Sequence, residues 1–251
     1  MHLLPGNIRY ERKFLPEALG LAKVLAVVRQ HPCAFREVYP PRFVNNIYLD
    51  SPGRSDYHDH VAGVPNRSKT RIRWYGAPAG AIARPVLEHK LKRGAVSGKL
   101  SYGLPSFSLR GDDLCRSVEL SLQAAAIPEQ VRWRIRHLEP VLVNRYHRWY
   151  FLSGDATFRL TVDAGLEFGS PSGWGGSGLI TPEPSLVIVE LKFAPRDAAD
   201  ADRVTNGLPF RLARCSKYVL GIERLAQAAA WRWAELETFA GAPGHHQGDG
   251  N

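Results

Sequence analysis

The sequence predicts an α+β chain organised around an antiparallel sheet, and three features predict it. Five short segments, Arg9–Lys13, Lys69–Trp74, Glu88–Lys92, Arg159–Asp163 and Glu190–Lys192, alternate charged residues with apolar or neutral ones. Residues two apart in a strand share a face, so each segment carries a charged row on one side and residues such as Ile72, Leu91, Leu160, Val162 and Leu191 on the other. Between these segments lie stretches with apolar residues at helical spacing, and Gly/Pro/Ser clusters punctuate the whole. Two architectures satisfy this pattern: an open sheet with one wet face, or a closed barrel with a polar lumen.

The elements follow in order. A first strand spans about Asn7 to Phe14, and a helix follows Pro16, with Leu19, Ala22, Leu25, Ala26 and Val28 on one stripe. His31–Pro32 ends it. Phe43–Asp50 reads as a strand closed by Ser51–Gly53. The His/Asp-rich stretch Asp56–His60 reads as a polar surface loop in preference to a metal site. Strands span Lys69–Tyr75 and Val86–Lys92, joined by a flexible Gly76–Gly80 segment, and Gly94–Gly111 is expected to be a mobile loop. Leu114–Ala126 and Pro128–Leu138 are helical. Val141–Leu152, Phe158–Glu167 and Leu186–Phe193 return to strand, with Gly169–Gly178 a flexible excursion. Ser216–Glu237 is a helix presenting Val219, Leu220, Ile222, Leu225, Ala229 and Trp233. Residues 1–240 are expected to form one domain, and the Gly/His-rich 241–251 a disordered tail.

Composition narrows the partners. The chain has 251 residues, 44% of them hydrophobic, with 33 Lys+Arg against 24 Asp+Glu, a net charge of +9. That length and apolar content suffice for one sizeable core, and the basic surplus favours anionic partners. Three separated cysteines, Cys33, Cys115 and Cys215, make neither a zinc pattern nor a disulfide framework. No signal-peptide pattern opens the chain, and Leu19–Val28 is too short to span a bilayer, so a soluble, cytoplasmic protein is expected. Trp74, Trp133, Trp149, Trp231 and Trp233, with Tyr48 and Tyr150, are expected as packing residues. Arg132, Arg134 and Arg136 are expected on a plain helix surface.

An ordered set of motifs resembles one known family. Arg9–Phe14, Asn46–Asp50, Arg71–Gly76, Glu88–Lys92, Arg145–Arg148, Phe158–Asp163, Val189–Lys192 and Ser216–Tyr218 resemble the polyphosphate polymerase (VTC-type) domain of the vacuolar transporter chaperone complex. That domain belongs to the triphosphate tunnel metalloenzyme, or CYTH-like, superfamily. The resemblance covers about residues 7 to 225. It implies an antiparallel β-barrel, the triphosphate tunnel fold, with inserted and flanking helices. It implies that Lys13, Arg71, Arg73, Lys90, Arg148, Arg159, Lys192 and Lys217 bind phosphates, with Tyr146 and Ser216 adding neutral hydrogen bonds. Arg9 and Lys92 would sit at or near the tunnel rim. Glu190 would be the main metal ligand, helped by Glu11, Glu88 or Asp163.

Physical chemistry agrees with that implication. A triphosphate carries about four negative charges, so several Arg forks and Lys point charges must replace its hydration. Carboxylates among them suit Mg²⁺ or Mn²⁺. The implied activity is metal-dependent phosphoryl transfer, with ATP, triphosphate or polyphosphate as partners: synthesis of polyphosphate from ATP, or hydrolysis of an inorganic or organic triphosphate. A non-catalytic nucleic-acid-binding module is the competing class, because basic charge interleaved with aromatics is also its signature.

Overall fold

The computed structural model describes residues 9–94, 96–110, 113–174 and 180–240. Chain order is β1 (Tyr10–Leu15), α1 (Leu21–Gln30), β2 (Arg36–Asp50), α2 (Ser55–Val61), β3 (Asn66–Tyr75), β4 (Gly80–Ile82), β5 (Val86–Arg93), β6 (Val96–Gly103), β7 (Phe107–Leu109), α3 (Leu114–Ala124) and α4 (Glu129–Ile135). There follow β8 (Glu139–Leu152), β9 (Arg159–Gly169), β10 (Ile180–Glu183), β11 (Ile188–Phe193), α5 (Ala198–Asn206), β12 (Arg211–Leu212) and α6 (Lys217–Ala240). One antiparallel sheet of ten strands runs β12-β1-β11-β9-β8-β2-β3-β5-β6, with β10 paired to β9; β4 and β7 form a separate pair.

The hydrogen-bonded ladder does not close, which corrects the barrel expectation: β6 and β12 are its edges, and they do not pair with each other among the described residues. The sheet is nevertheless rolled. Six strand steps separate β1 from β5, which would be roughly 30 Å in a flat sheet. Yet Lys90 Nζ on β5 lies 3.4 Å from Glu11 Oε1 on β1. Bulges supply the curl. Pro40 and Pro41 have no N–H to give a ladder, and they fall in the register shift of β2 between Tyr39 and Arg42. Gly165, at φ +59°, occupies the shift between β8 and β9, a left-handed position that favours glycine.

Three apolar clusters hold the roll in place. On the outer face, Leu160, Val162, Val189 and Leu191 pack with Val24 and Val28 of α1 and Val204 of α5. Ile47, Ile72, Leu87 and Val143 pack with Leu114 and Val118 of α3 and Val131 and Ile135 of α4. On the inner face, Leu142, Tyr146 and Phe168 receive Tyr218 and Ile222 of α6. That last approach is close: a Cβ at Gly221 would fall 2.5 Å from Phe168 and 2.6 Å from Leu142, so only glycine lets α6 dock there. Tyr218 also donates its phenol proton to Asp50 Oδ2 at 2.5 Å, which fixes the first turn of α6 against β2.

Several expectations change. Gly94–Gly111 is not simply a loop: most of it is β6 and β7, because β6 pairs residue for residue with β5. Asp56–His60 lies within helix α2, organised by Asp50, whose carboxylate accepts the Asp56 and Tyr57 N–H groups at 3.1 and 3.0 Å. Within Gly169–Gly178 the chain forms a short 3₁₀ turn, and residues 175–179 lie outside the described residues. Trp133 is 63% exposed, whereas Trp74 is buried as expected. The side chains of Trp231 and Trp233, and the whole of 241–251, lie outside the described residues. Among those residues no helix is long and apolar enough to cross a membrane.

Candidate functional site

Strand parity aims the charged rows inward. On β1, Glu11 and Lys13 face the inside of the roll, while Arg12 faces out and donates to Ala201 O and Thr205 Oγ1. On β3, Lys69, Arg71 and Arg73 face in, while Ile72 and Trp74 enter the outer core. On β11, Glu190 and Lys192 face in while Val189 and Leu191 face out. Tyr146 and Arg148 come from β8, Lys90 from β5, Lys99 from β6, and Lys217 from the start of α6. These side chains line one cavity of about 200 Å³, with ten basic residues against two carboxylates, Glu11 and Glu190.

Two further carboxylates form the wall and orient the cations. Asp163, fully buried, accepts Arg148 Nε at 2.5 Å and Nη2 at 2.7 Å, and Lys217 Nζ at 2.6 Å. Burial alone would raise its carboxyl, but Arg148 and Lys217 hold it down to about 2. Glu88 accepts Arg71 Nη2 at 2.5 Å and Lys99 Nζ at 2.6 Å, with Arg73 at 3.8 Å. Burial is outweighed there too, and Arg71 and Arg73 keep Glu88 ionised. Arg73 also donates to Asn46 Oδ1 at 2.9 Å and to the Tyr146 hydroxyl at 3.0 Å. Burial would raise the Tyr146 phenol, but Arg148 and Arg73 bring it down to about 8.

Two lysines show the cost of burying charge in this site. Burial, then Lys13, Lys90 and Arg71, drive Lys69 well below the usual lysine range; its Nζ donates to Ser216 Oγ at 2.8 Å. Lys90 is pushed down to about 8 by burial, against the pull of Glu11 and Glu190. For a lysine lowered on folding, the unfolded chain binds the extra proton between about 8 and the usual value near 10.4. The anion-free protein therefore gains stability from this group as pH rises through that window, while an anion loses a cationic partner. We expect the dissociation constant for inorganic tripolyphosphate, at fixed ionic strength, to rise steadily from pH 7.5 to 9.5. A flat profile would contradict this electrostatic description.

The cavity gathers Lys13, Arg71, Arg73, Lys90, Arg148, Lys192, Lys217, Tyr146, Arg9, Glu11 and Glu190 from the sequence-based set. Five others lie elsewhere. Arg159 starts β9 and is exposed at the strand end, outside the lining. Lys92 lies one step beyond Lys90, half-buried near Arg67 and Arg214. Ser216 caps α6 by accepting the Val219 N–H at 3.3 Å, and it reaches the site only through Lys69. Glu88 and Asp163, expected as helpers for a metal, stand outside the lining in the ion pairs described above; Glu190 and Glu11, within it, also meet cations, Lys192 Nζ at 2.9 Å and Lys90 Nζ at 3.4 Å. Lys69, Lys99 and Tyr48 line the cavity without having been expected as site residues. Parity on β3 could have found Lys69; nothing local marks the other two.

The donor set bears on a metal. Among the described residues, no three His, Cys, Asp or Glu side chains cluster to hold an ion by themselves. Glu190 is buried among Lys192, Lys13 and Lys90, which keep it ionised against burial. Glu11 opposes Lys192 on the neighbouring strand, and Lys13 opposes Glu190, so the two carboxylates are diagonal neighbours, about 7–8 Å apart at the backbone. Two hard oxygen donors fit Mg²⁺ or Mn²⁺ whose remaining positions are filled by phosphate oxygens and water. They do not fit an all-protein metal cage.

Comparison with known proteins gives one family match: residues 9–226 match the VTC domain. No curated protein matches the chain in sequence. A candidate adenylate cyclase from Vibrio parahaemolyticus superposes with a TM-score of 0.47 at 12% identity, over 85% of this chain and 97% of that one. A Pyrococcus horikoshii protein gives 0.48 at 12%, over 86% and 98%. A candidate adenylyl cyclase from Hippeastrum, described as having a dominant triphosphatase activity, gives 0.46 at 14%, over 85% and 94%.

Proposed function

The chain belongs to the VTC domain family, and on that premise we propose that it is a phosphotransferase that extends polyphosphate with the γ-phosphoryl group of ATP. The observation that carries this reading is the convergence of ten basic side chains on one cavity around Glu190. Such a density of positive charge repels itself, by several kcal/mol per close pair even at an effective dielectric near 20. A polyphosphate chain cancels that repulsion.

In this reading Arg71, Arg73 and Arg148 grip phosphate oxygens as planar forks, pre-set by Glu88 and Asp163. Lys13, Lys90, Lys192 and Lys217 add point charges along the same path. Tyr146, held by Arg73, adds a neutral hydrogen bond. A terminal phosphate oxygen of the growing chain attacks the γ-phosphorus in line. The bond to the β,γ-bridging oxygen breaks, and ADP leaves with that oxygen and its electron pair. Glu190, with Glu11, would hold Mn²⁺ or Mg²⁺, which when bound neutralises charge on the β- and γ-oxygens. The protein otherwise acts by position and electrostatics.

The test is incubation of pure protein with ATP and Mn²⁺, followed by gel analysis for long phosphate chains. Chains together with ADP are the expected result. ADP with orthophosphate and no chains would make water the acceptor and the protein a triphosphatase. Metal-independent, salt-sensitive binding of RNA without turnover of any triphosphate would overturn phosphoryl transfer altogether.

A further inference from the structure

Beyond the cavity, the inner face of the sheet carries a cluster that the phosphate chemistry does not use. Val44 pairs with Tyr75 and Asn46 with Arg73, so Tyr75 continues the inward row of β3 one step past Arg73. Arg42 pairs with Arg148, and Tyr39 with Tyr150, which places all four side chains on the cavity's side of the sheet. Along β8, Tyr150 follows Arg148 by two residues, about 7 Å.

The four form an aromatic platform around a guanidinium. Arg42 Cζ lies 4.2 Å from the centroid of Tyr75, 5.0 Å from Tyr150 and 5.7 Å from Tyr39. Arg42 Nε donates to the Tyr150 hydroxyl at 3.3 Å, and Tyr39 meets Tyr150 edge-on at 5.8 Å and 88°. Tyr39 is 58% and Tyr75 47% exposed, so large apolar rings stand in water directly beside the basic cavity. Local packing accounts for the half-buried Tyr150 but not for the two open rings. Bulging at Pro40–Pro41 is what brings Tyr39 and Arg42 to the same side.

Given the phosphate-channel reading, on which this inference rests, we infer that Tyr39, Arg42 and Tyr75 form a stacking subsite for the base of a nucleoside triphosphate whose phosphates enter the cavity. The chemistry suits a planar heterocycle: exposed aromatic faces stack on any base, and a guanidinium held 4.2 Å from the Tyr75 ring centre adds cation–π attraction. The platform joins the cavity at Arg73 and Arg148, so the phosphate tail of the same molecule meets cations without a gap in the inner face. An inorganic phosphate chain has no ring to stack on Tyr39 and Tyr75. The subsite therefore makes the protein favour a nucleotide as phosphoryl donor over inorganic tripolyphosphate.

The experiment measures equilibrium binding of ATP and of tripolyphosphate, without metal, to the wild type and to Tyr39→Ala/Tyr75→Ala. Both positions are exposed, so the variant should fold; circular dichroism and the Tm of the variant check this. Stacking by alanine substitution is worth about 1–3 kcal/mol per base, that is, about 5- to 150-fold in affinity. The expected result is that the ratio of ATP to tripolyphosphate affinity falls about tenfold in the variant. An unchanged ratio, with both ligands bound by the wild type, would overturn the subsite and leave the phosphate channel standing. Failure of the wild type to bind either ligand would overturn both.

Discussion

Glu190→Gln is expected to abolish metal-dependent turnover of ATP while leaving metal-free anion binding intact or tighter. The substitution keeps the side chain's size and removes its charge. Glu190 is a buried carboxylate kept ionised by Lys192, Lys13 and Lys90, and it lines the cavity where phosphate oxygens would lie. Without a metal, that charge opposes an incoming phosphate, so its loss relieves repulsion. With a metal, it is the more enclosed of the two carboxylates that line the cavity. Loss of groups that merely support a metal ligand costs 10–100-fold, so loss of the ligand itself should cost on the order of 100-fold or more in kcat/KM. The split between the two measurements carries the test. A fall in turnover matched by an equal fall in metal-free tripolyphosphate affinity would reduce Glu190 to a structural part of the wall.

Asp163→Asn is expected to cause the largest loss of stability, and a phosphate ligand should restore much of it. Arg148 and Lys217 both close on this carboxylate, at 2.5 and 2.6 Å, inside a fully buried site. Removing one partner of a buried ion pair costs about 3–5 kcal/mol, because the remaining charges stay desolvated and unpaired. For a chain of this size that corresponds to roughly 6–20 °C in Tm. A ligand at 100 times its Kd returns about 2.7 kcal/mol, and the freed cations should bind it better than in the wild type. Thermal melts with and without tripolyphosphate should therefore show a low Tm and an enlarged ligand-induced rise; an unchanged Tm would refute the wall's role. The same carboxylate sets an acid limit. Its folded value of about 2 lies below the ordinary 3.8, so the stability it supplies is present above about pH 4 and is lost as pH falls toward 2. Glu88 and Glu190 are depressed in the same direction and add to the loss.

Much of the site was legible because a strand's period is two. Arg71 and Arg73, Glu11 and Lys13, and Glu190 and Lys192 each sit two apart in segments whose intervening residues are apolar or outward-facing, and each pair lines the cavity. Lys99 was not legible: it stands in a Gly/Ser-rich stretch whose strand character comes from pairing with β5, a contact made across the chain and not within it. Tyr48 has the composition of a core residue and is buried, yet it stacks on Tyr218 at 5.0 Å while also lining the cavity. Arg159 has the right parity and the wrong height; being at the end of β9, it reaches solvent. Glu88 and Asp163 looked like Glu190 in sequence, but their neighbours across the sheet are arginines.

By itself, the sequence determined which residues point to the same side of each strand, since alternation is a property of the backbone and needs no partner. It also determined the excess of positive charge and the family. Only the tertiary structure decided how far the sheet rolls, which carboxylates line the cavity and which lie in its wall, and that an arginine–tyrosine platform adjoins the basic cavity. Those outcomes depend on register shifts at Pro40–Pro41 and Gly165 and on α6 docking through Gly221. They are contacts between segments far apart in the chain, and no local pattern encodes the distance between two strands that a bulge will bring together.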